Sequence, residues 1–162
     1  MSDKKTLLKF IGIAGLALLC VYLLRKKGAA SLLGFEPSEE LLDAIELVES
    51  GGKANAVSPV GARGAYQFMP KTWVWIWTDI IKEPQNADFD KVFDRDLSRR
   101  AAGAYLTWIK RYLSKKGIDS MDAVYAAYNA GPTAVAKAKG VPNIKETRDY
   151  VDRVNAALAA KR

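Results

Sequence analysis

A series of apolar stripes at helical spacing, punctuated by glycine, restricts the fold of this chain more than any other feature. Leu41, Leu42, Ile45 and Val48 recur every three to four residues, as do Leu97, Ala101, Ala104, Trp108 and Tyr112. That period places each set on one face of an α-helix. Ser38 is positioned to cap the first helix, Glu39 and Glu40 fall in its positive first turn, and Gly51-Gly52 ends it. Further helices are predicted over residues 71–82, 94–115, 120–130 and 145–160, with Gly117, Gly131 and Gly140 between or beside them. Trp73, Trp75 and Trp77 alternate as a strand would, but helix spacing also allows them, and no other segment alternates persuasively. Trp73 and Trp77 share a helix face and are expected in the core rather than under a sugar. The expected fold is mostly α.

Absences narrow the chemistry. With 162 residues, 49% of them hydrophobic, the chain suits one compact domain with an appendage. It has no histidine and a single cysteine, Cys20. Ser-His-Asp and Cys-His nucleophilic sites, histidine-ligated zinc and disulfide scaffolds are thereby excluded. Carboxylate, hydroxyl, amide and backbone chemistry remain, and neither a metal nor a cofactor is expected. The formal charge of +7 is not a nucleic-acid signature: residues 1–30 hold six Lys or Arg against Asp3, a share of +5 that leaves +2 for residues 31–162. Basic residues flanking an apolar run suit lipid headgroups, so no nucleic-acid partner is expected.

That run, "TLLKFIGIAGLALLCVYLL", spans residues 6–24 and carries no charge from Phe10 onward. It is about as long as a short membrane-spanning helix, with Lys9 close enough to the end to snorkel. A cleaved signal peptide is the rival reading. Arg25-Lys26-Lys27 stands where a signal peptide would offer small residues for cleavage, and Leu19 before Cys20 is too bulky for a lipoprotein cleavage site. The expected organisation is an anchor at residues 1–27, a linker at 28–35 and a folded domain at 36–162. Three basic residues flank each side of the run, so the charges favour neither orientation.

Between the first two predicted helices lies "ESGGKANAVSPVGARGAYQFMPKTW", residues 49–73. Glu49 follows Ile45 by four residues and Leu42 by seven, on the apolar side of its helix and in the last turn. Partial desolvation and the negative helix end both disfavour the ionised carboxylate, which suits a general acid near neutral pH. A frayed, solvated helix end is the alternative for a terminal glutamate. The loop favours a site: Gly61, Ala62, Gly64 and Ala65 let backbone approach a bound molecule, Gln67 supplies an amide, and Tyr66, Phe68 and Met69 supply apolar surface. Sugars are held by such combinations.

Three ordered motifs carry a family resemblance. Glu49-Ser50 is followed by Ser58-Pro59-Val60-Gly61-Ala62-Arg63-Gly64-Ala65-Tyr66-Gln67-Phe68-Met69-Pro70; Ala127-Tyr128-Asn129-Ala130-Gly131-Pro132 comes later, and Glu146-Thr147-Arg148-Asp149-Tyr150-Val151 last. Together they resemble the lysozyme-like lytic transglycosylases of the soluble type, whose pattern runs Glu-Ser, Ser-x-x-Gly-Ala-x-Gly-Leu-Met-Gln-x-Met-Pro, Ala-Tyr-Asn-Ala-Gly-Pro and Glu-Thr-x-x-Tyr-Val. Ala65-Tyr66 departs from Leu-Met, at positions expected to shape a sugar subsite. In the middle motif Asn-x-x-x-Gly-x-x-Tyr-Leu, Tyr105-Leu106 is kept while Ser98 and Ala102 replace the asparagine and glycine, a change expected to affect packing alone.

The resemblance implies a lysozyme-like fold of goose-type or transglycosylase kind and a lyase acting on peptidoglycan glycan strands. Glu49 would be the catalytic acid and base, and the product a 1,6-anhydro-N-acetylmuramic acid end. Ser58, Gln67, Met69, Tyr128, Asn129 and Tyr150 would contact substrate or orient Glu49. An ordinary glycosidase uses two carboxylates, and Asp79, Asp88 and Asp90 are candidates to activate water in a hydrolytic version. A non-catalytic membrane or virion protein with a lysozyme-like fold is the third reading. Arg63 would be solvated or would meet acidic groups of the substrate. With its membrane partner at residues 6–24, the expected setting is a membrane anchor facing the periplasm and cell wall, or the internal membrane of a phage virion, with secretion-complex or virion proteins as possible neighbours. If residues 6–24 are a retained anchor, intact-mass measurement of native protein will find the full chain, recovered only in detergent; loss of the first thirty or so residues would refute the anchor.

Overall fold

The computed structural model describes residues 34–161, and the predicted anchor at 6–24 lies outside them. Among the described residues no helix is long and apolar enough to cross a membrane. Six α-helices account for most of what is described: α1 (Glu39–Ser50), α2 (Pro70–Trp75), α3 (Arg95–Ser114), α4 (Met121–Ala130), α5 (Pro132–Ala138) and α6 (Lys145–Ala159).

Local chemistry explains their ends. The Ser38 side chain accepts a hydrogen bond from the Leu41 N–H, and Gly51 closes α1 in the left-handed region at φ 64°. Asp94 and Ser120 cap α3 and α4 in the same way, accepting from the Leu97 and Ala123 amides. The helix expected over 71–82 begins at Pro70 and changes register after Trp75: residues Ile76–Ile80 form a π-helical turn, with the Ile81 N–H bonded to the Ile76 carbonyl at 2.9 Å. Helix α5 was not predicted, because its short Pro-Thr-Ala-Val-Ala run has too few turns to show a period. No strand is present among the described residues; Arg63 pairs singly with Val57 and with Phe68 within the long loop.

The core gathers where α1, α3, α4 and α6 pack together. Ile45, Leu106, Ile109, Leu113, Val124 and Val154 are fully buried there. Trp73 and Trp77 are also fully buried, as their shared helix face predicts, with centroids 5.6 Å apart. The Trp73 indole N–H donates to the carbonyls of Asn86 (3.1 Å) and Asp88 (3.0 Å) and so ties the short 3-10 turns Pro84–Asn86 and Phe89–Phe93 to α2. Ser98 is completely buried with its hydroxyl donating to the Val92 carbonyl at 2.5 Å, a packing role.

The loop between α1 and α2 lies tight against that same segment. Gly64 has φ 79°, and a Cβ there would lie 2.3 Å from the Val92 carbonyl oxygen. Backbone cannot yield as a side chain can, so no larger residue fits without moving the loop. Gly64→Ala is expected to destabilise the protein by at least about 2 kcal/mol. Thermal melts should show the loss, and a melting temperature equal to that of the wild type would contradict this account of the loop.

Candidate active site

Four structural pieces converge on Glu49: the end of α1, the loop of residues 51–69, the end of α4 and the middle of α6. Packing of α6 against α1 carries Tyr150 to the carboxyl, and its phenol donates to Glu49 Oε1 at 2.8 Å. Tyr150 is 2% exposed, so this is a bond inside the protein, out of competition with bulk water. Burial raises the Glu49 carboxyl from its ordinary value to about 7, against the opposing effects of the Tyr150 hydrogen bond and the positive charge of Arg153. The sequence predicted the direction of this shift. Its principal cause is burial among neighbouring elements, which helix periodicity indicates only in outline.

Tyr128, at the end of α4, is the other phenol within electrostatic reach of Glu49. Burial raises it well above the ordinary tyrosine range, and the Glu49 charge adds to the effect. Its hydroxyl donates to the Tyr66 carbonyl at 3.1 Å, so in this structure it braces the loop and does not bond the carboxylate. Phe68 packs against its ring at 6.2 Å between centroids. Asn129 is exposed beside it.

The loop residues divide between brace and surface. The Ser58 hydroxyl accepts from the Ala62 N–H at 3.0 Å, which closes the turn around Gly61. Gln67 adopts φ 50°, and its amide nitrogen donates to the carbonyls of Gly64 (2.9 Å) and Ala56 (3.3 Å). Both N–H groups are thereby engaged, and its side-chain oxygen is the group left for a ligand. Met69 is 43% exposed at the start of α2. Ala65 and Tyr66 are both fully buried, so the departure from Leu-Met changes what lies beneath the loop and not what lines its surface.

Two features escaped the sequence reading. Arg153 lies on α6 one turn beyond Tyr150, its guanidinium 5.9 Å from the centre of that ring and its charge acting on Glu49; the three-residue spacing from Tyr150 was the available signal. Glu46, one turn before Glu49, is 4% exposed. It is paired with Arg95, accepts from the Tyr66 phenol at 3.4 Å, and lies 3.9 Å from the Arg99 guanidinium. Arg95 and Arg99 are one turn apart on α3, a pattern that points to a shared acidic partner.

The candidate second carboxylates are engaged elsewhere. Asp90 pairs with Arg63 at 3.3 Å, Asp88 caps the turn Phe89–Phe93, and Asp79 lies 2.5 Å from the Thr78 hydroxyl. None is among the groups that act on Glu49, whose charged neighbour is Arg153. Arg63 is thus partnered by Asp90, with its guanidinium over the Phe89 ring at 5.0 Å. Among the described residues no cluster of acidic, cysteine or histidine side chains could hold a metal.

A helical domain thus carries a half-buried carboxyl, held near 7 by its surroundings, beside a glycine-bearing loop. Residues 30–151 match the family described as Transglycosylase SLT domain, and the chain belongs to that family. Its fold is similar to that of the 70 kDa soluble lytic transglycosylase of Escherichia coli, with 28% identity, a TM-score of 0.64, and 78% of this chain aligned to 22% of that one. It is also similar to an inactive mutant of the lytic transglycosylase Slt from Pseudomonas aeruginosa, with 24% identity, a TM-score of 0.65, and 86% of this chain aligned to 22% of that one. The chain therefore spans about a fifth of the length of these two proteins, and the architecture it shares with them is the helical, lysozyme-like transglycosylase fold.

The raised value of Glu49 has a stability consequence. The unfolded carboxyl ionises near 4.5 while the folded one keeps its proton until about 7, so stability from this group falls as pH rises between those values. Glu49→Gln removes the titration and is expected to gain melting temperature relative to wild type across that window. A difference independent of pH would contradict the burial of this carboxyl. Tyr150→Phe removes a hydrogen bond that favours the carboxylate, so carbon NMR titration should place Glu49 higher still; a lower value would be contrary to the geometry.

Proposed function

We propose that this domain cleaves the β-1,4 bond between N-acetylmuramic acid and N-acetylglucosamine in peptidoglycan, with Glu49 as the catalytic acid and base. The observation that carries the reading is a single half-buried carboxyl, oriented by Tyr150 and raised to about 7. Such a group holds a proton at neutral pH and releases it readily, as a general acid must. Membership of the transglycosylase family and the likeness to the Escherichia coli enzyme support the choice of substrate.

The step balances without added water. The Glu49 proton passes to the glycosidic oxygen as the bond from that oxygen to the muramoyl C1 breaks. The C6 hydroxyl oxygen of the same sugar then bonds to C1, and its proton returns to the Glu49 carboxylate. The product is a 1,6-anhydro muramoyl end, and the acid is regenerated. The nucleophile comes from the substrate, in keeping with the absence of a second carboxylate among the groups acting on Glu49. Met69, Asn129 and the free oxygen of Gln67 form the substrate surface in this reading. Ser58 and Tyr128 serve it by fixing the loop, and Tyr150 by holding the Glu49 carboxyl.

The Arg153 charge beside Glu49 favours the carboxylate that exists between the two proton transfers. The reading extends to place: residues 6–24 would tether the domain at a membrane facing the wall, where a secretion apparatus or phage particle opens one local hole. Glu49→Gln should lower the clearing of purified cell walls by at least about a thousandfold, as loss of an essential acid does. Clearing by this variant at the wild-type rate would sink the proposal. Mass spectrometry of the digest should find ends lighter by one water than hydrolysis gives; reducing muramoyl ends alone would establish a lysozyme instead.

A further inference from the structure

Trp75 is a tryptophan that the core does not absorb. Trp73 and Trp77, two positions to either side, are fully buried, whereas Trp75 is half-buried on the outer side of α2. Its ring meets Trp108 at 4.8 Å and 87°, and Tyr105 at 6.1 Å and 88°. Trp108 is itself stacked between Tyr105 (6.3 Å, 18°) and Tyr112 (5.1 Å, 13°), neighbours on opposite sides of it along α3. Both Trp108 faces are therefore covered, and the contact with Trp75 is made by its edge. Trp75 is thus backed by this aromatic cluster, and being half-buried it keeps part of its ring accessible.

A groove of about 380 Å³ runs along that outer side, lined by Pro70, Lys71, Val74, Trp75, Thr78 and Asp79. The volume is of the size that holds small ligands, roughly 300–1,000 Å³. Lys71 and Asp79 stand one helical turn before and after Trp75, so a cation and a carboxylate flank the indole. Among the described residues the Lys71 ammonium and the Trp75 indole N–H have no hydrogen-bond or ion-pair partner. Asp79 is steadied by the Thr78 hydroxyl at 2.5 Å and keeps a second oxygen free. The groove begins at Pro70, directly after Met69, which is 43% exposed beside the Phe68 ring that packs on Tyr128.

We propose that this groove is an additional saccharide subsite, where a sugar ring of the glycan strand lies on the accessible part of the Trp75 ring with its hydroxyl and acetamido groups toward Lys71 and Asp79. The occupant follows from the chemistry. A pyranose offers a flat apolar face edged by neutral donors and acceptors, which matches an indole flanked by groups of both kinds. A lipid surface would call for several protruding apolar side chains with basic neighbours, and Asp79 would be repelled by anionic headgroups. Pro70 of the groove directly follows the exposed Met69, which the glycan reading places on the substrate surface, so the bound ring would belong to the same strand and the inference rests on that reading.

The test uses the full chain with Glu49→Gln, which binds without turnover, titrated with peptide-free glycan strands graded by length. Of the four tryptophans, Trp73 and Trp77 are buried, so emission changes report Trp75 and Trp108. Strands should bind more tightly than a tetrasaccharide and alter the emission. Lys71→Ala with Asp79→Ala, both at the surface, should weaken strand binding by roughly three- to tenfold and flatten the dependence on length. Trp75→Phe should abolish most of the emission change, with melting temperature checked for each variant. Equal affinity at all lengths, or double-variant affinity unchanged, overturns the subsite. Groove variants that lose binding to phosphatidylglycerol vesicles but keep their glycan affinity overturn it in favour of lipid. Wall cleavage by wild type with unaltered binding by the groove variants refutes this inference alone, while length-dependent binding without wall cleavage refutes the reaction alone; no glycan binding at all refutes both.

Discussion

Glu46 is the buried charge on which the placement of everything around Glu49 depends. A carboxylate at 4% exposure is tolerable only with its partners in place, and α3 supplies them through Arg95 and Arg99. The same Arg99 reaches Asp43 at 2.7 Å, donates to the Tyr66 phenol at 3.0 Å, and pairs with Glu39 at the first turn of α1. One guanidinium thus joins the start of α1, its middle and the underside of the loop. The Tyr66 carbonyl, fixed by that anchored ring, receives the Tyr128 phenol. Removal of one partner would leave a buried charge without compensation, a far larger loss than an exposed ion pair represents.

Glu46 and Glu49 sit one turn apart on one helix and meet different chemistry. Glu46 faces α3 and its arginines; Glu49 faces α6, which offers a phenol in the first contact and a guanidinium farther out. An arginine bonded directly to Glu49 would hold the carboxyl ionised and unable to donate. A phenol orients it at smaller electrostatic cost, and burial does the rest. The difference between the ion-paired Glu46 and the raised carboxyl of Glu49 is therefore set by which helix each side chain meets, and not by anything in α1 itself.

That division explains what the sequence could and could not reveal. Helix starts at Ser38, Asp94 and Ser120 were legible because capping is local, settled within four residues. Glu49 was legible because its apolar neighbours and its place in the last turn are both features of one helix. Tyr66 was misread as a surface residue of the sugar groove because its burial depends on Arg99, thirty-three positions away. Arg153 was missed for a similar reason: its effect on Glu49 exists only when α6 lies against α1. The π-helical turn after Trp75 leaves no mark in the residue pattern, since Ile76–Ile80 would suit an ordinary helix equally well.

The tryptophans show the same limit from the other side. Alternation at 73, 75 and 77 suits either core or sugar stacking, and helical geometry assigns the first and third to the core. It leaves Trp75 undecided, because outward position alone is the common fate of surface residues. What separates Trp75 from an incidental surface ring is support from beneath: Trp108 and Tyr105 hold it edge to face, and Tyr112 stacks behind Trp108. A ring so backed loses little side-chain freedom when a ligand covers its accessible part, so the entropy cost of binding is small. Glu49 and Trp75 are alike in this respect: each is held on one side by neighbouring side chains, Glu49 by the Tyr150 phenol and Trp75 by Trp108 and Tyr105, which is the preorganisation that the proposed roles of both would need.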